Sequence, residues 1–567
     1  MAFDPAISYA MAPSNSLSSQ LVLALSCLSP WTSASCTPAC KAYPGTADWP
    51  APDVWDKFNC PAVAAGWSTY GFHLENPLSV MWNNWSNDTC LPNPDYPCSP
   101  AGYPAYAIDA STSEHVKLGV DFARKHHVRL NIKNTGHDFH GRSNAPGSLS
   151  IWVHHLNKTD YHNGSFKPEG CRHNINGNAL TVGGGATGGI AVQAAGQRGQ
   201  AIVGGMAASV GLAGYTSGGG HSVLSSTYGL GVDQILQLEV VTPAGHILTV
   251  NECQNQDLFW ALRGGGGTTF GVVTALTIKT YPSPKMTQWG IQFVVPPSAP
   301  FFWDVVAYVF SQLPTLGDAG LTGYFISSAE DNSMFGFKAG VGGSTTILDH
   351  DTTKVAQLLQ KMNETMQHRW SGTGVYTAPP AYYDNYVDWF EVYQDRLSAG
   401  GSVLMNSRLL GKDVLEGDVA ALTHALKTAG STHAWEGIPA YLIAGKGTAE
   451  AKPRGGSNAV HPAWREAYLH TLAINGFGPF DEAGKKSLIE RFTTGWQPMR
   501  DLTPGGGSYL NEAFTYEPDY ERTFWGENYE RLLRIKRKTD PTDVFWCRLC
   551  VGRDRWAEQH DGRLCRV

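Results

Sequence analysis

Residues 201–233 read AIVGGMAASVGLAGYTSGGGHSVLSSTYGLGVD, and this stretch restricts the fold more than any other. Glycine recurs too often here for the interior of a helix or a strand, because it loses the most conformational freedom on folding. The run does not suit a flexible linker, since Val203, Val210, Leu212, Tyr215, Val223 and Leu230 punctuate it and demand burial. Glycine is wanted where main chain must touch a large flat or phosphorylated ligand, so the stretch reads as a ligand cradle. It lacks G-x-G-x-x-G between a strand and a helix with an acid about 20 residues on, which sets aside the dinucleotide fingerprint of doubly wound folds.

A second stretch, Arg129 to Ser143, reads RLNIKNTGHDFHGRS. A strand over Val128 to Ile132 ends in a turn of Asn134, Thr135 and Gly136, and His137 follows at once. Consecutive backbone N–H groups in such a turn point at one spot and suit a phosphate or an anionic ring. Alone, His137 reads equally well as a hydrogen-bonded histidine of a polar loop. Around it the pattern alternates. Ser113 to His126 has apolar residues at Val116, Val120, Phe122 and Ala123 near helical spacing, with Thr112 or Ser113 as cap, and Leu149 to Val153 is a strand. Ile190 to Gln197 reads as a helix, Ile235 to Val241 and His246 to Val250 as a strand pair, and Leu258 to Leu262 as a short helix. Arg263 to Gly271 is a second glycine turn leading into a strand over Val272 to Ile278.

A chain of 567 residues exceeds one compact domain, and two are expected. A net charge of −7 without a long basic run argues against a nucleic-acid surface. The 18 Trp, 23 Tyr and 22 Phe favour a pocket for an organic ligand over a scaffold. Leu21 to Leu28 is too short to span a bilayer but matches a secretory apolar region, with small residues at Thr32 to Ser35, so residues 1–35 are read as a signal segment and the protein as secreted. Cysteine usage agrees: beyond Cys27, ten remain, an even set whose pairing stays open. Cys547-Arg-Leu-Cys550 could be redox-active or bind zinc, but it has no second C-x-x-C or C-x-x-H, which favours a structural bridge or a partner elsewhere, and no metal site is expected. Sequons at Asn84, Asn87, Asn157, Asn163 and Asn363 suggest glycosylation.

The segments NTGHDFHGRS, GLAGYTSGGGHS, YGLGVD, LFWALRGGG, FGVV and the tail FWGENYERLLRIK with Asp540-Pro541 run in consistent order from about Tyr103 to Val551. Together they resemble the berberine-bridge-enzyme-like branch of the vanillyl-alcohol-oxidase flavoproteins, most closely fungal FAD-linked oxidases of the isoamyl-alcohol-oxidase-like kind. The resemblance implies an α+β fold. An FAD-binding domain of two subdomains (36–284, core 103–284) precedes a substrate domain with an antiparallel sheet (285–500), and a C-terminal segment (501–567) returns to the FAD domain. Strands over Thr287 to Val295, Gly320 to Ser327, Met334 to Val341 and Ala440 to Ile443, and helices over Thr352 to Met366 and Gly417 to Leu426, agree with it.

By the same resemblance FAD is the cofactor, and His137 is its covalent anchor. A second, cysteinyl, link is absent because its position is Ala207, so a single tether is expected. Asn134, Thr135, Gly136, Asp138, Gly205, Val210, Gly211, Gly214, Tyr215, Gly219, Gly220, Val273, Asn511 and Asn528 are expected to bind the cofactor or orient its neighbours. Val210 stands where relatives place a small gate for dioxygen, which favours an oxidase.

Many relatives have Tyr-x-Asn-Tyr near the C-terminus, whereas this chain has Tyr509-Leu-Asn-Glu512. Glu512 is the expected base if an apolar pocket raises it toward neutrality; it serves equally as a structural carboxylate paired with Arg522 or Lys536. Tyr509 is the second candidate. His461, in His-Pro-Ala-Trp-Arg, borders the pocket or packs in the core. The implied activity is oxidation of an alcohol or amine of a small secondary-metabolite-like molecule, with dioxygen reoxidising the flavin. Oxidative cyclisation, carbohydrate oxidation and a non-catalytic flavin binder are the alternatives.

Overall fold

After the short helices Pro61–Gly66 and Tyr70–Glu75, three parallel strands assemble: Tyr106–Asp109 and Leu130–Lys133 flank Leu149–Trp152. The helix Ser113–His126 covers them, capped by Thr112, whose side chain accepts the N–H of His115. It buries Val116, Val120 and Ala123 against Leu130, Leu149 and Ile151. Gly119 allows the close approach, since a Cβ there would lie 2.8 Å from Ile108 and Ile151. Phe122, expected on the apolar stripe, is half exposed. Its position lies off the Val116–Val120–Ala123 face, which already fills the contact. The computed structural model describes residues 61–567 except 94, 333–335, 434–436 and 560–561, so the expected signal segment and Cys36, Cys40 and Cys60 lie outside the described residues.

A five-stranded antiparallel sheet follows, in the order Ile247–Asn251, Ile235–Val241, Val272–Lys279, Ala179–Gly183, Thr159–His162. Beyond Lys279 the chain builds an eight-stranded antiparallel sheet. Its centre runs Met286–Val294, Gly340–Ile347, Leu321–Ser328, Pro439–Leu442, Ala467–Phe477, Ser402–Gly411. Helices Phe302–Asp318, Thr353–Arg369 and Val419–Gly430 pack their apolar faces on that sheet around Val305, Phe310, Leu359 and Leu426. This is the α+β arrangement expected, with helices segregated beside antiparallel sheet.

Two expectations are corrected. Of the strand placed at Met334 to Val341, positions 334 and 335 lie outside the described residues; in the described part the strand begins at Gly340, and Phe337 packs on Gly342, where a Cβ would come within 2.7 Å of its ring. The glycine-rich run also contains a helix, Leu212–Gly218, buried on Leu212, Tyr215 and Thr216. Tertiary burial outweighs the poor helix propensity of its glycines. Cys90–Cys98, Cys171–Cys253 and Cys547–Cys550 form disulfides, the last being one of the two outcomes the sequence left open, and Cys565 is unpaired among the described residues. No helix among the described residues is long and apolar enough to cross a membrane.

Candidate active site

The turn after Leu130–Lys133 is assembled from buried anchors. Lys133 is 1% exposed and donates to the carbonyls of His73 (3.1 Å) and Asn76 (2.9 Å), and burial lowers its ammonium to about 7. The Asn134 amide donates to the Gly184 carbonyl at 3.2 Å and lies so near Gly211 that a Cβ there would sit 2.3 Å from its nitrogen. Thr135 is buried, and Gly136 turns the chain at φ +90°. The Asp138 carboxylate closes the loop, accepting the backbone N–H groups of His140 (3.0 Å) and Arg142 (2.6 Å) and the Arg142 guanidinium (2.6 Å). Burial alone would raise Asp138, but the charges of Arg142 and His140 and the bonds from Arg142 hold it below the usual carboxylate range.

His137 projects from this loop with its ring 4.5 Å from that of Tyr70 and its Nε2 2.8 Å from the Ser209 hydroxyl. The Trp82 indole N–H donates to its carbonyl at 3.0 Å. Burial first, and the nearby charges of His73 and Lys133 second, lower the imidazole to about 3. It is therefore neutral, with a lone pair to give, at any ordinary pH. Ser209 was not singled out in the sequence; the readable signal was a hydroxyl inside the cradle, between Ala207 and Val210.

The cradle itself turns at Ala207–Val210, where the Val210 N–H bonds the Ala207 carbonyl (3.1 Å), and Gly211 bridges to Thr187 before the Leu212–Gly218 helix. Ser209 and Thr187 also line an open cleft of about 630 Å³. Space at Gly214 is open for 4 Å around the place a Cβ would occupy. Gly205 faces the Tyr215 ring, and Gly220 lies so close to it that a Cβ would sit 2.5 Å away. Gly219, at φ +132°, faces Tyr509, Val460 and Trp464. The Tyr215 hydroxyl donates to the His221 carbonyl at 2.8 Å and so fixes the end of the run.

The C-terminal segment locks turn and cradle together. Asn511 accepts from Arg142 (2.9 Å) and donates to the Gly214 carbonyl (3.2 Å) and the Tyr509 hydroxyl (3.0 Å), while His140 bonds the Leu510 carbonyl (2.8 Å). Arg142, also unflagged by the sequence, keeps Nη1 buried with no partner among the described residues. A buried guanidinium N–H left open in the turn that carries His137, tied through Asn511 to the glycine cradle, fits a large anionic or carbonyl-bearing cofactor such as a flavin dinucleotide. In this chain His137 would anchor it and Arg142 would donate to it.

Glu512 is held neither by Arg522 nor by Lys536, and Lys536 is itself paired with Asp540 at 2.6 Å. Its Oε2 instead accepts from His221 Nε2 (3.2 Å) and His470 Nε2 (2.9 Å), so the carboxylate bridges the cradle and the eight-stranded sheet. Burial alone would raise it, but the charge of His221 and hydrogen bonds from His221 and His470 push it well below the usual carboxylate range. The expected rise toward neutrality is thus corrected. Tyr509 is held protonated by burial and by the charge of Glu512, so it is no resting base. Tyr441 and Trp464 complete the wall, their rings 5.8 and 6.2 Å from that of His470.

Three other residues are spent elsewhere. Asn528 donates to the Val460 carbonyl at 2.8 Å. Val273 pairs with Val240 in the five-stranded sheet and backs Gly184. His461 is buried and bonded to the Arg522 carbonyl (3.0 Å) and the Ala463 N–H (3.0 Å), which makes it a joint of the C-terminal return, while its neighbour Trp464 reaches the wall.

Comparison with known proteins agrees with this geometry. The family described as "FAD binding domain" matches residues 104–251, and "Berberine and berberine like" matches 508–552. An FAD-linked oxidoreductase, patO of Aspergillus clavatus, is 32% identical over 97% of this chain and 98% of its own length. The VAO-type flavoprotein oxidase VAO615 of Thermothelomyces thermophilus is 32% identical over 94% of this chain and 96% of that protein. The crystal structure of the VAO-type flavoprotein MtVAO615 from Myceliophthora thermophila C1 superposes with a TM-score of 0.79 at 30% identity, covering 93% of this chain and 100% of that one. A glucooligosaccharide oxidase from Acremonium strictum, 19% identical with a TM-score of 0.62 over 86% of this chain and 99% of that one, shares the fold.

Proposed function

Starting from a chain that belongs to the FAD-linked oxidoreductases of the berberine-bridge-enzyme-like, vanillyl-alcohol-oxidase type, we propose a secreted oxidase that acts on an alcohol or amine of a small organic molecule. The flavin is held by a single covalent bond to His137, and dioxygen is the final acceptor. The observation that carries this reading is the neutral imidazole of His137, buried against Tyr70 and bonded to Ser209. Ala207 stands where a second tether would need a thiol. Bound FAD supplies the hydride acceptor and, once reduced, the reductant for dioxygen.

The chain's own groups do the rest. Asn511, Arg142 and Asp138 fix the turn, and Tyr215, Tyr441, Tyr509 and Trp464 wall the substrate space and exclude water. Secretion is supported by the apolar run Leu21 to Leu28 and by the three disulfides.

The test is direct. Acid-precipitated protein retains yellow colour, and the flavin maps to the peptide carrying His137; His137→Ala releases it. A panel of alcohols and amines is then screened for anaerobic bleaching of the flavin, with peroxide measured on readmission of air. Flavin that washes out in acid removes the tether, and a reduced enzyme that stays reduced in air makes the protein a dehydrogenase.

A further inference from the structure

Glu512 offers one oxygen that no described residue claims. Oε2 takes both imidazole Nε2 groups, at 3.2 Å from His221 and 2.9 Å from His470. Oε1 has no hydrogen-bond partner among the described residues. The Glu512 side chain keeps 24% of its surface open, against 9% for His221 and 0% for His470. Both imidazole Nδ1 atoms are buried and without a partner among the described residues. Each ring therefore turns its Nε2 to Glu512, where an N–H can donate. Two N–H dipoles thus converge on one carboxylate oxygen.

The same three side chains fall within ligand reach of one another, 4.8 Å. A metal on them would leave each imidazole needing an outer partner for its second nitrogen, and neither has one. The arrangement is built to keep a carboxylate ionised.

We propose that the ionised Glu512 accepts the substrate proton at Oε1, with His221 and His470 as positioning residues; this rests on the oxidase reading above. The substrate C–H leaves with its electron pair to the acceptor that activity supplies. The O–H or N–H bond breaks, its electron pair becomes the second bond of the carbonyl or imine, and the proton goes to Oε1 and then to solvent. As the hydride departs, the O–H or N–H becomes strongly acidic, so the acceptor must be ionised but need not be strongly basic. Tyr441 and Tyr324 of the eight-stranded sheet, Tyr215 of the cradle, Tyr509 of the same segment and Asp395 share the field of this charge. Their phenols stay protonated, so Glu512 is the carboxylate the two imidazoles control.

The experiment needs no native substrate. Sulfite, an anion that adds to protein-bound flavin, is titrated into the flavin-loaded enzyme from pH 8 to pH 4, and each variant is compared with wild type at the same pH so that the titration of sulfite cancels. Glu512→Gln tightens sulfite binding about tenfold or more at every pH, because it removes a unit charge beside the site. His470→Leu matches wild type at pH 8 and approaches Glu512→Gln below about pH 5, as the carboxyl regains an ordinary titration; His470→Gln, which keeps an N–H donor, stays near wild type. Equal sulfite affinity in wild type and Glu512→Gln overturns the proposal, as does a stoichiometric divalent metal in the purified enzyme. With an alcohol or amine that bleaches the flavin, Glu512→Gln slows reduction about a hundredfold; an unchanged rate also overturns it. Protein that carries no flavin would count against the oxidase reading instead.

Discussion

Replacing Gly211 by alanine tests how the turn and the cradle are joined. The backbone there has φ −67°, which any residue adopts, so the substitution adds no backbone strain and its whole effect is steric. The new methyl would fall 2.3 Å from Asn134 Nδ2 and 2.9 Å from Cγ. Asn134 is not free to swing aside, because its amide donates to the Gly184 carbonyl at 3.2 Å and its Oδ1 lies 3.4 Å from His154 Nδ1. Overpacking of this kind costs about 1–3 kcal/mol. For a folded unit of about 500 residues the unfolding entropy is about 1 kcal/mol per degree, so the thermal midpoint falls by about 1–3 °C. On the proposed tether to His137, the covalent flavin fraction falls further, since Asn134 heads the turn that presents His137. The double variant with Asn134→Ala removes the colliding atoms and should be less damaged than the two single changes added together, by about 1 kcal/mol. Thermal scans and acid-stable flavin absorbance on all four proteins form the assay. Strict additivity, or full flavin content in Gly211→Ala, would refute the close packing of cradle on turn.

Two further outcomes follow from buried charge. Burial lowers His137 to about 3 and His140 and His461 to about 4, so the unfolded chain binds protons at about pH 6.5 that the folded chain refuses. Stability from these rings is complete above that pH and drains as pH falls toward 4. Asp138 and Glu512, lowered by their partners, add a loss below their unfolded values of 3.8 and 4.5. A thermal midpoint that stays flat from pH 7 to pH 5 would contradict the burial of the histidines. Arg500 grips Glu517 with two bonds of 2.8 Å, and Glu517 is 4% exposed. Arg500→Met leaves that carboxylate with only the Thr523 hydroxyl (3.2 Å) and the nearby charge of Arg408, at a cost of about 3 kcal/mol, a fall of about 3 °C that added salt does not reproduce in wild type; a drop under 1 °C argues that Arg408 or water already compensates the charge.

The glycine run and the turn at His137 were legible because each makes its demand locally, through main-chain approach or a strand followed by a turn. Strands such as Ile235–Val241 were legible by alternation. The partners of Glu512 were not, since His221 and His470 lie 291 and 42 residues away and meet it only after two sheets and the C-terminal return are in place. Sequence proximity pointed to Arg522 and Lys536, but Lys536 is consumed by Asp540 and by the carbonyls of Thr269 and Phe545. Ser402–Gly411 and Ala467–Phe477 escaped for a related reason. Buried Asn406, Ser407, Arg408, His470 and Thr471 interrupt their apolar alternation, because these strands meet the C-terminal segment instead of plain core.

Asn511 reaches back 297 residues to Gly214, and Glu512 reaches 291 to His221. At about 5–20 residues per second, synthesis of these two parts of the site is separated by roughly 15–60 s. Throughout that interval the nascent cradle exists without its lock, and the imidazole at 137 waits without the neighbours that hold its loop against the cradle. The contacts from Asn511 and Glu512 are therefore made only once the C-terminal segment has been synthesised. A chain that ends short of residue 511 keeps the contacts of His137 with Ser209 and of Asn134 with Gly184 but lacks those that Asn511 and Glu512 make.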